Sequence, residues 1–214
     1  RDRLLLGLHW AGLYFVDCRA PFGLRSSPIL WEHIGAVLEW VLRRRGIVHL
    51  VRFVDDFLFA VAARLGPAEA LKLRGTVIAT LAQLGVRVSE KKLAIEGSPS
   101  TVSVFLGVSI DTREMVARLP PPKLAPLRSA ITRFLRASSV SVKQAESLAG
   151  HLAFASRVAR PGRPSLASLF AALRDAKHAR SHTLSLSPDA RDDLRWWRRL
   201  LSTWPGTSII RSLA

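Results

Sequence analysis

The sequence predicts an α+β fold in which an antiparallel sheet carries helices on one face and leads into a helical C-terminal segment. Three observations predict it. Short β-branched and aromatic runs alternate with two amphipathic helical repeats up to residue 119, three prolines stand at positions 120–122, and helical periodicity dominates beyond them. With 214 residues and 49% hydrophobic content, the chain can build packed cores in one or two domains.

Residues 4–16 suit two short strands about a turn at Ala11-Gly12, and residues 20–28 form a loop punctuated by Pro21, Gly23 and Pro28. Over 28–45, Ile29, Ile34, Val37, Leu38, Trp40, Val41 and Leu42 recur at helical spacing; Arg43, Arg44 and Arg45 suit the negative end of the helix dipole, and Gly46 stops it. A hairpin follows over 48–62. Pro67 opens a second helix to residue 84, with Leu71, Leu73, Val77, Ile78 and Leu81 as its apolar stripe and Gly85 as its stop. Strands are expected over 86–88, 93–95 and 102–110, and residues 114–119 are placed to pair with the last of them. Residues 120–122 read as a hinge. Beyond it, helices are expected over 123–135, from an N-cap at Ser141 to residue 158, over 165–179, and from a Ser187-Pro188-Asp189 cap through Leu201.

The net charge of +16 points to a polyanionic partner, with nucleic acid foremost. It is concentrated late in the chain: residues 1–120 carry 16 Lys+Arg against 11 Asp+Glu, and residues 121–214 carry 16 against 5. A single cysteine, Cys18, excludes an intramolecular disulfide framework and a cysteine-based zinc site. No apolar stretch approaches the roughly 18 residues of a membrane-spanning helix. The chain also begins without Met, which suits a fragment.

Asp55 and Asp56 stand side by side within the apolar run Leu50-Val51-Arg52-Phe53-Val54-Asp55-Asp56-Phe57-Leu58-Phe59. Two like charges leaving water together are costly unless a cation or hydrogen bonds compensate. The pair is therefore expected at the tip of the 48–62 hairpin, presented to a divalent metal. A plain surface turn with two solvated aspartates is the other reading, although its usual Gly, Asn and Ser are missing here.

Four landmarks occur in one order: Ala20-Pro21-Phe22-Gly23-Leu24-Arg25-Ser26-Ser27-Pro28, Phe53-Val54-Asp55-Asp56, Glu90-Lys91-Lys92 and Phe105-Leu106-Gly107. Together they resemble the reverse transcriptases of retroelements. The tail, with Gly150-His151-Leu152-Ala153-Phe154-Ala155, Arg160-Pro161-Gly162-Arg163 and Asp193-Leu194-Arg195-Trp196-Trp197, is similar to DIRS-like elements, which encode a tyrosine recombinase.

That resemblance implies an RNA-directed DNA polymerase that uses Mg²⁺ or Mn²⁺, a template-primer (RNA/DNA or DNA/DNA) and deoxynucleoside triphosphates. It implies a right-hand palm with partial fingers over 1–119, a helical thumb over 120–180, and a connection toward a downstream RNase H domain over 181–214. Asp55 and Asp56 become the metal ligands, Asp55 the more direct, with Phe53 where many relatives have Tyr. Phe22 and Gly23 would flank the incoming nucleotide, and Lys91 or Lys92 would protonate the leaving pyrophosphate, a solvated basic loop being the other reading. Phe105, Leu106 and Gly107 would grip the primer, unless they are an ordinary apolar strand. Lys123, Arg128, Arg133, Arg136 and Lys143 would follow the duplex phosphates. Trp196 and Trp197 read as core, and His151 as a packing or hydrogen-bonding residue.

The family carries a further metal-binding aspartate in an upstream strand, and neither Asp2 nor Asp17 suits that part. A weakly active or inactive fragment is therefore expected, with a non-catalytic nucleic-acid-binding remnant as the alternative.

Overall fold

The computed structural model describes residues 7–16 and 23–209; Phe22, Asp17 and Cys18 lie outside the described residues. The chain divides into two compact units, 1–99 and 100–214.

In the first unit, strands β1 (Gly7–Trp10) and β2 (Leu13–Val16) pair antiparallel about Ala11-Gly12, both at positive φ as a tight hairpin turn requires. Helix α1 (Ser26–Arg44), the hairpin β3 (Leu50–Phe53) and β4 (Asp56–Phe59), and helix α2 (Gly66–Gln83) follow. Their core is small: Leu42, Ile47, Leu50 and Val77, joined by Phe57, Phe59, Leu73 and Leu81. Arg45 links the two helices, donating to the buried Thr80 hydroxyl at 2.9 Å and to Gln83 at 2.7 Å.

Two expectations are corrected here. The apolar stripe of α1 is not all core: Leu38 and Leu42 are buried, but Ile29, Ile34, Val37 and Trp40 are exposed. Residues 86–88 form no strand, and residues 93–95 lie in helix α3 (Glu90–Glu96). Glu, Lys, Leu and Ala are strong helix formers, and the Leu93 amide closes the first turn on the Ser89 carbonyl, so local propensity prevails over a short apolar run.

The second unit begins with β5 (Val102–Phe105), β6 (Val108–Asp111) and β7 (Val116–Arg118), a meander extended by β10 (Thr207–Ser208) in the order β10-β7-β6-β5. The expected strand over 102–110 is thus a hairpin. Asp111 fastens the next turn: its carboxylate accepts from the amides of Arg113 and Glu114 and pairs with Arg118. These amide bonds, with Arg118 adding attraction, hold the Asp111 carboxyl below the usual range.

Residues 120–122 are not a hinge in this structure. Pro120, buried and extended, caps helix α4 (Pro121–Arg136), and Pro121-Pro122 occupy its first turn, where a missing amide hydrogen costs nothing. After strand β8 (Val140–Ser141), helix α5 (Val142–Val158) starts from the expected Ser141 cap, a reciprocal capping box with Gln144. Helix α6 (Ala167–His178), strand β9 (Thr183–Leu184) and helix α7 (Pro188–Thr203) complete the unit.

Leu127, Ile131, Leu152, Leu169, Leu194 and Trp197 anchor a single core there. Trp197 is fully buried, donates from Nε1 to the Ser165 carbonyl at 3.0 Å, meets Trp196 edge-on at 5.9 Å, and lies so close over Gly162 that a side chain there would overlap its ring. Both tryptophans serve packing. His151, by contrast, is exposed rather than packed.

The architecture is α+β with several small antiparallel sheets in place of the expected single layer: among the described residues each of the β1–β2 and β3–β4 hairpins pairs only with itself.

Candidate functional site

The Asp-Asp pair sits on a hairpin tip, with register Leu50↔Phe59, Val51↔Leu58, Arg52↔Phe57 and Phe53↔Asp56. Alternation sends Leu50, Phe57 and Phe59 to the core and leaves Phe53 and Asp56 together on the opposite face, with Asp55 exposed in the two-residue turn. Phe53 is 57% exposed, so its ring is open to a ligand rather than packed within the unit.

Val54 holds φ +54°, a left-handed conformation that a β-branched residue rarely adopts; the equivalent turn positions of the β1–β2 and β5–β6 hairpins, Ala11 and Leu106, are left-handed too but are not β-branched. Strain of roughly 1–3 kcal/mol is typical of such a residue and persists only where the surroundings impose it.

Arg52 ties this turn to α1. Its guanidinium is nearly buried and forked onto Glu32, at 2.9 and 2.6 Å, with Nε donating to Glu39 at 3.3 Å and Nη1 reaching the Val54 carbonyl at 3.4 Å. Arg43 continues the network from α1 to Glu39 and to the carbonyls of Val48 and Leu50. Gly35 makes the room, since a Cβ there would fall 2.7 Å from Arg52 Nη1. Hydrogen bonding from Arg52 lowers the pKa of Glu32, and Arg43 and then Arg52 lower that of Glu39, in each case against partial desolvation; Arg52 is itself raised, chiefly by Glu32. Sequence reading passed over this clamp, whose signal was an arginine inside an apolar strand facing Glu32 and Glu39 one helical face away.

Aspartate oxygens are the hard donors that Mg²⁺ or Mn²⁺ selects. The donor set of Asp55 and Asp56 suits such an ion in kind but is short in number: no group of three His, Cys, Asp or Glu side chains comes together among the described residues. Gly23 adopts φ +88°, and Lys91 is exposed in the first turn of α3 with Lys92 beside it in the chain.

Phe105, Leu106 and Gly107 form the β5–β6 turn, with Leu106 and Gly107 both at positive φ. Lys123 reaches back to this turn: its Nζ donates to the Gly107 carbonyl at 3.3 Å and stands 4.5 Å above the Phe154 ring. A side chain at position 107 would overlap that ammonium. Lys123, exposed at the start of α4, thus also steadies the turn.

Arg128, Arg133 and Arg136 are exposed on α4, and Lys143 is exposed in the first turn of α5. A cation at a helix N-terminus opposes the helix dipole, so Lys143 does not serve its helix. Arg198 and Arg199, which the sequence reading left aside, are exposed on α7 next to Arg128.

No protein-family model matches the chain, and no curated protein sequence does. Solved structures do match. A foamy viral protease-reverse transcriptase in complex with dsDNA aligns over 99% of this chain and 40% of its own, at 19% identity and a TM-score of 0.72. The foamy viral protease-reverse transcriptase dRH, in complex with ds DNA, aligns over 94% of this chain and 31% of its own, at 19% identity and a TM-score of 0.68. The chain has the fold of part of a reverse transcriptase. It spans less than half the length of either matched reverse transcriptase, and both of those proteins were solved on double-stranded DNA. The four landmarks of the sequence therefore fall in a chain with the matching fold.

Proposed function

We propose that this chain is the palm and thumb portion of an RNA-directed DNA polymerase from a retrotransposon, transferring nucleotides to a primer 3′-hydroxyl. One observation carries the reading: Asp55 and Asp56 stand together at the tip of a hairpin that a nearly buried arginine ties to α1, in a chain with a reverse transcriptase fold. The order of the landmarks and the tail motifs support the narrower placement among DIRS-like elements.

On this reading residues 1–119 are palm with partial fingers, 120–180 are thumb, and 181–214 lead toward RNase H in the full polyprotein. Asp55 and Asp56 would hold Mg²⁺ or Mn²⁺, which when bound lowers the pKa of the primer hydroxyl and offsets charge on the phosphates and pyrophosphate. Phe53 offers its exposed ring beside them for the primer end, Phe22 and Gly23 line the nucleotide, and Lys91 or Lys92 supplies a proton to the leaving group. The 105–107 turn supports the primer, with Lys123 as the residue that positions it.

A second reading has its own observation. With no third metal-ligating side chain gathered among the described residues, a non-catalytic duplex-binding remnant would use the basic helices alone. Primer extension on poly(rA)/oligo(dT) with Mg²⁺ separates the two. Three proteins are compared: this chain, a version extended at its N-terminus by a strand bearing an aspartate, and that version with Asp55→Asn. Extension by the longer form, reduced at least ~100-fold by Asp55→Asn, is expected. Extension by none of the three, with duplex binding retained, selects the remnant.

A further inference from the structure

Helices α4 and α5 border an open cavity of about 990 Å³ within the second unit. Leu127 and Phe134 of α4 and Leu148 of α5, all buried in the core, form its floor, and half-buried Phe154 lines it beside Lys123. The α4 wall is Pro122, Pro126 and Ala130, whose side chains have no rotamers to lose, so binding there orders nothing on that side.

The apolar surface is recessed. No large hydrophobic residue of α4 or α5 is exposed, so only a side chain that protrudes from a partner reaches the floor. A duplex backbone offers phosphates, which gain nothing from a carbon floor, and a bilayer is bound by protruding apolar side chains, of which this face has none. An amphipathic helix offers what is missing, a ridge of apolar side chains that enters a groove between helices.

Charge at the rim narrows the partner further. No Asp or Glu lines the cavity, whereas Lys123 and Arg133 both do. They stand ten residues apart on α4, about 15 Å along its axis. Lys123 uses one donor on the Gly107 carbonyl and keeps two, and Arg133 has neither a side-chain hydrogen bond nor an ion pair among the described residues. On a docked helix, carboxylates at i and i+11 with apolar residues at i+4 and i+7 share one face about 16 Å long, which matches both cations and the floor between them.

We propose that the α4–α5 cavity is a docking site for an acidic amphipathic helix of a partner protein, its apolar residues on Leu127, Phe134 and Leu148 and its two carboxylates on Lys123 and Arg133. The site is independent of polymerisation. Its consequence is that the helical unit carries a protein-recruiting surface and that Arg133 serves it in place of a duplex.

The test is anisotropy of a labelled alanine-based peptide, with Glu at i and i+11 and Leu at i+4 and i+7, titrated with the full chain. Saturable binding in the micromolar range is expected, at least ~tenfold weaker when both Glu are Gln. Ala130→Trp, which fills the cavity, should abolish binding. Arg133→Glu should weaken it at least ~tenfold and regain it with a peptide in which one Glu is Lys. Arg128→Glu, on a side of α4 outside the cavity, should bind like the parent, with thermal melting confirming that every variant is folded. No binding by the parent would overturn the site, and equal losses for Arg128→Glu and Arg133→Glu would overturn it in favour of a diffuse positive field. Displacement of the peptide by a short duplex would overturn it in favour of nucleic acid, and dimerisation without peptide that Ala130→Trp abolishes would overturn it in favour of a second copy of this chain.

Discussion

Arg52 is forked onto Glu32 and also reaches the Val54 carbonyl, so it ties the Val54-Asp55 turn to α1. Arg52→Gln should free the turn, with amide exchange over residues 53–56 rising roughly tenfold while the α1 and α2 amides change little. The clamp also has a pH signature. Glu32 and Glu39 have folded pKa values below their ordinary ones, so their contribution is fully present above about pH 4.3 and is lost as pH falls through the lowered values. Turn amides in the parent should therefore loosen below that pH and those of the Gln variant should already be loose at neutrality; identical acid profiles for the two would exclude the clamp. The carboxylate pair was legible in the sequence because adjacent charges in an apolar run conflict with burial. Its support was not, because Arg52, Gly35 and Glu32 are joined only by folding.

At the scale of elements, the β5–β6 hairpin shows how a turn acquires a fixed orientation. Lys123, from the first turn of α4, hydrogen-bonds the Gly107 carbonyl and lies over Phe154 of α5, so one side chain joins three elements. Replacing it with Met keeps much of the aliphatic stem and removes both polar interactions. Lys123→Met should cost about 1 kcal/mol in thermal melting and raise exchange at Leu106 and Gly107. Unchanged exchange at those amides would show that the turn is held by its own φ angles. Helices with caps were the most readable elements: Ser141 with Gln144, Ser187 with Pro188, and Gly85 after α2 each stop or start a helix by local chemistry. The 102–110 run misled because Leu106-Gly107 carries no Asn, Asp or Pro to announce a turn, and the 120–122 run because three prolines suit a hinge and a helix start equally well.

Across the whole molecule, burial is uneven. The second unit closes a core that runs from Leu119 to Leu201 and includes a fully buried tryptophan, whereas the described residues of the first unit bury few large apolar side chains beyond Leu38, Leu42, Ile47, Leu50 and Val77. Trp10, Tyr14, Ile29, Leu30, Ile34, Val37 and Trp40 of the first unit are exposed. Since hydrophobic burial scales with the apolar area removed from water, the two units should differ in stability when each is made alone. Residues 100–209 should melt cooperatively with retained near-ultraviolet dichroism from Trp196 and Trp197, and residues 7–99 should melt broadly and bind a hydrophobic dye. Equal cooperativity in the two fragments would show that the first unit gains stability from something other than its own core. The same contrast separates the candidate residues: Asp55 and Asp56 stand in the less buried unit beside a polar clamp, while the arginines of α4 and α7 are displayed on helices that a large core holds in place. A turn tied to α1 through Glu32 and Glu39 is thus expected to be ordered at neutral pH and to loosen in acid, while the second unit, whose core contains neither carboxylate, keeps its tryptophan dichroism over the same range.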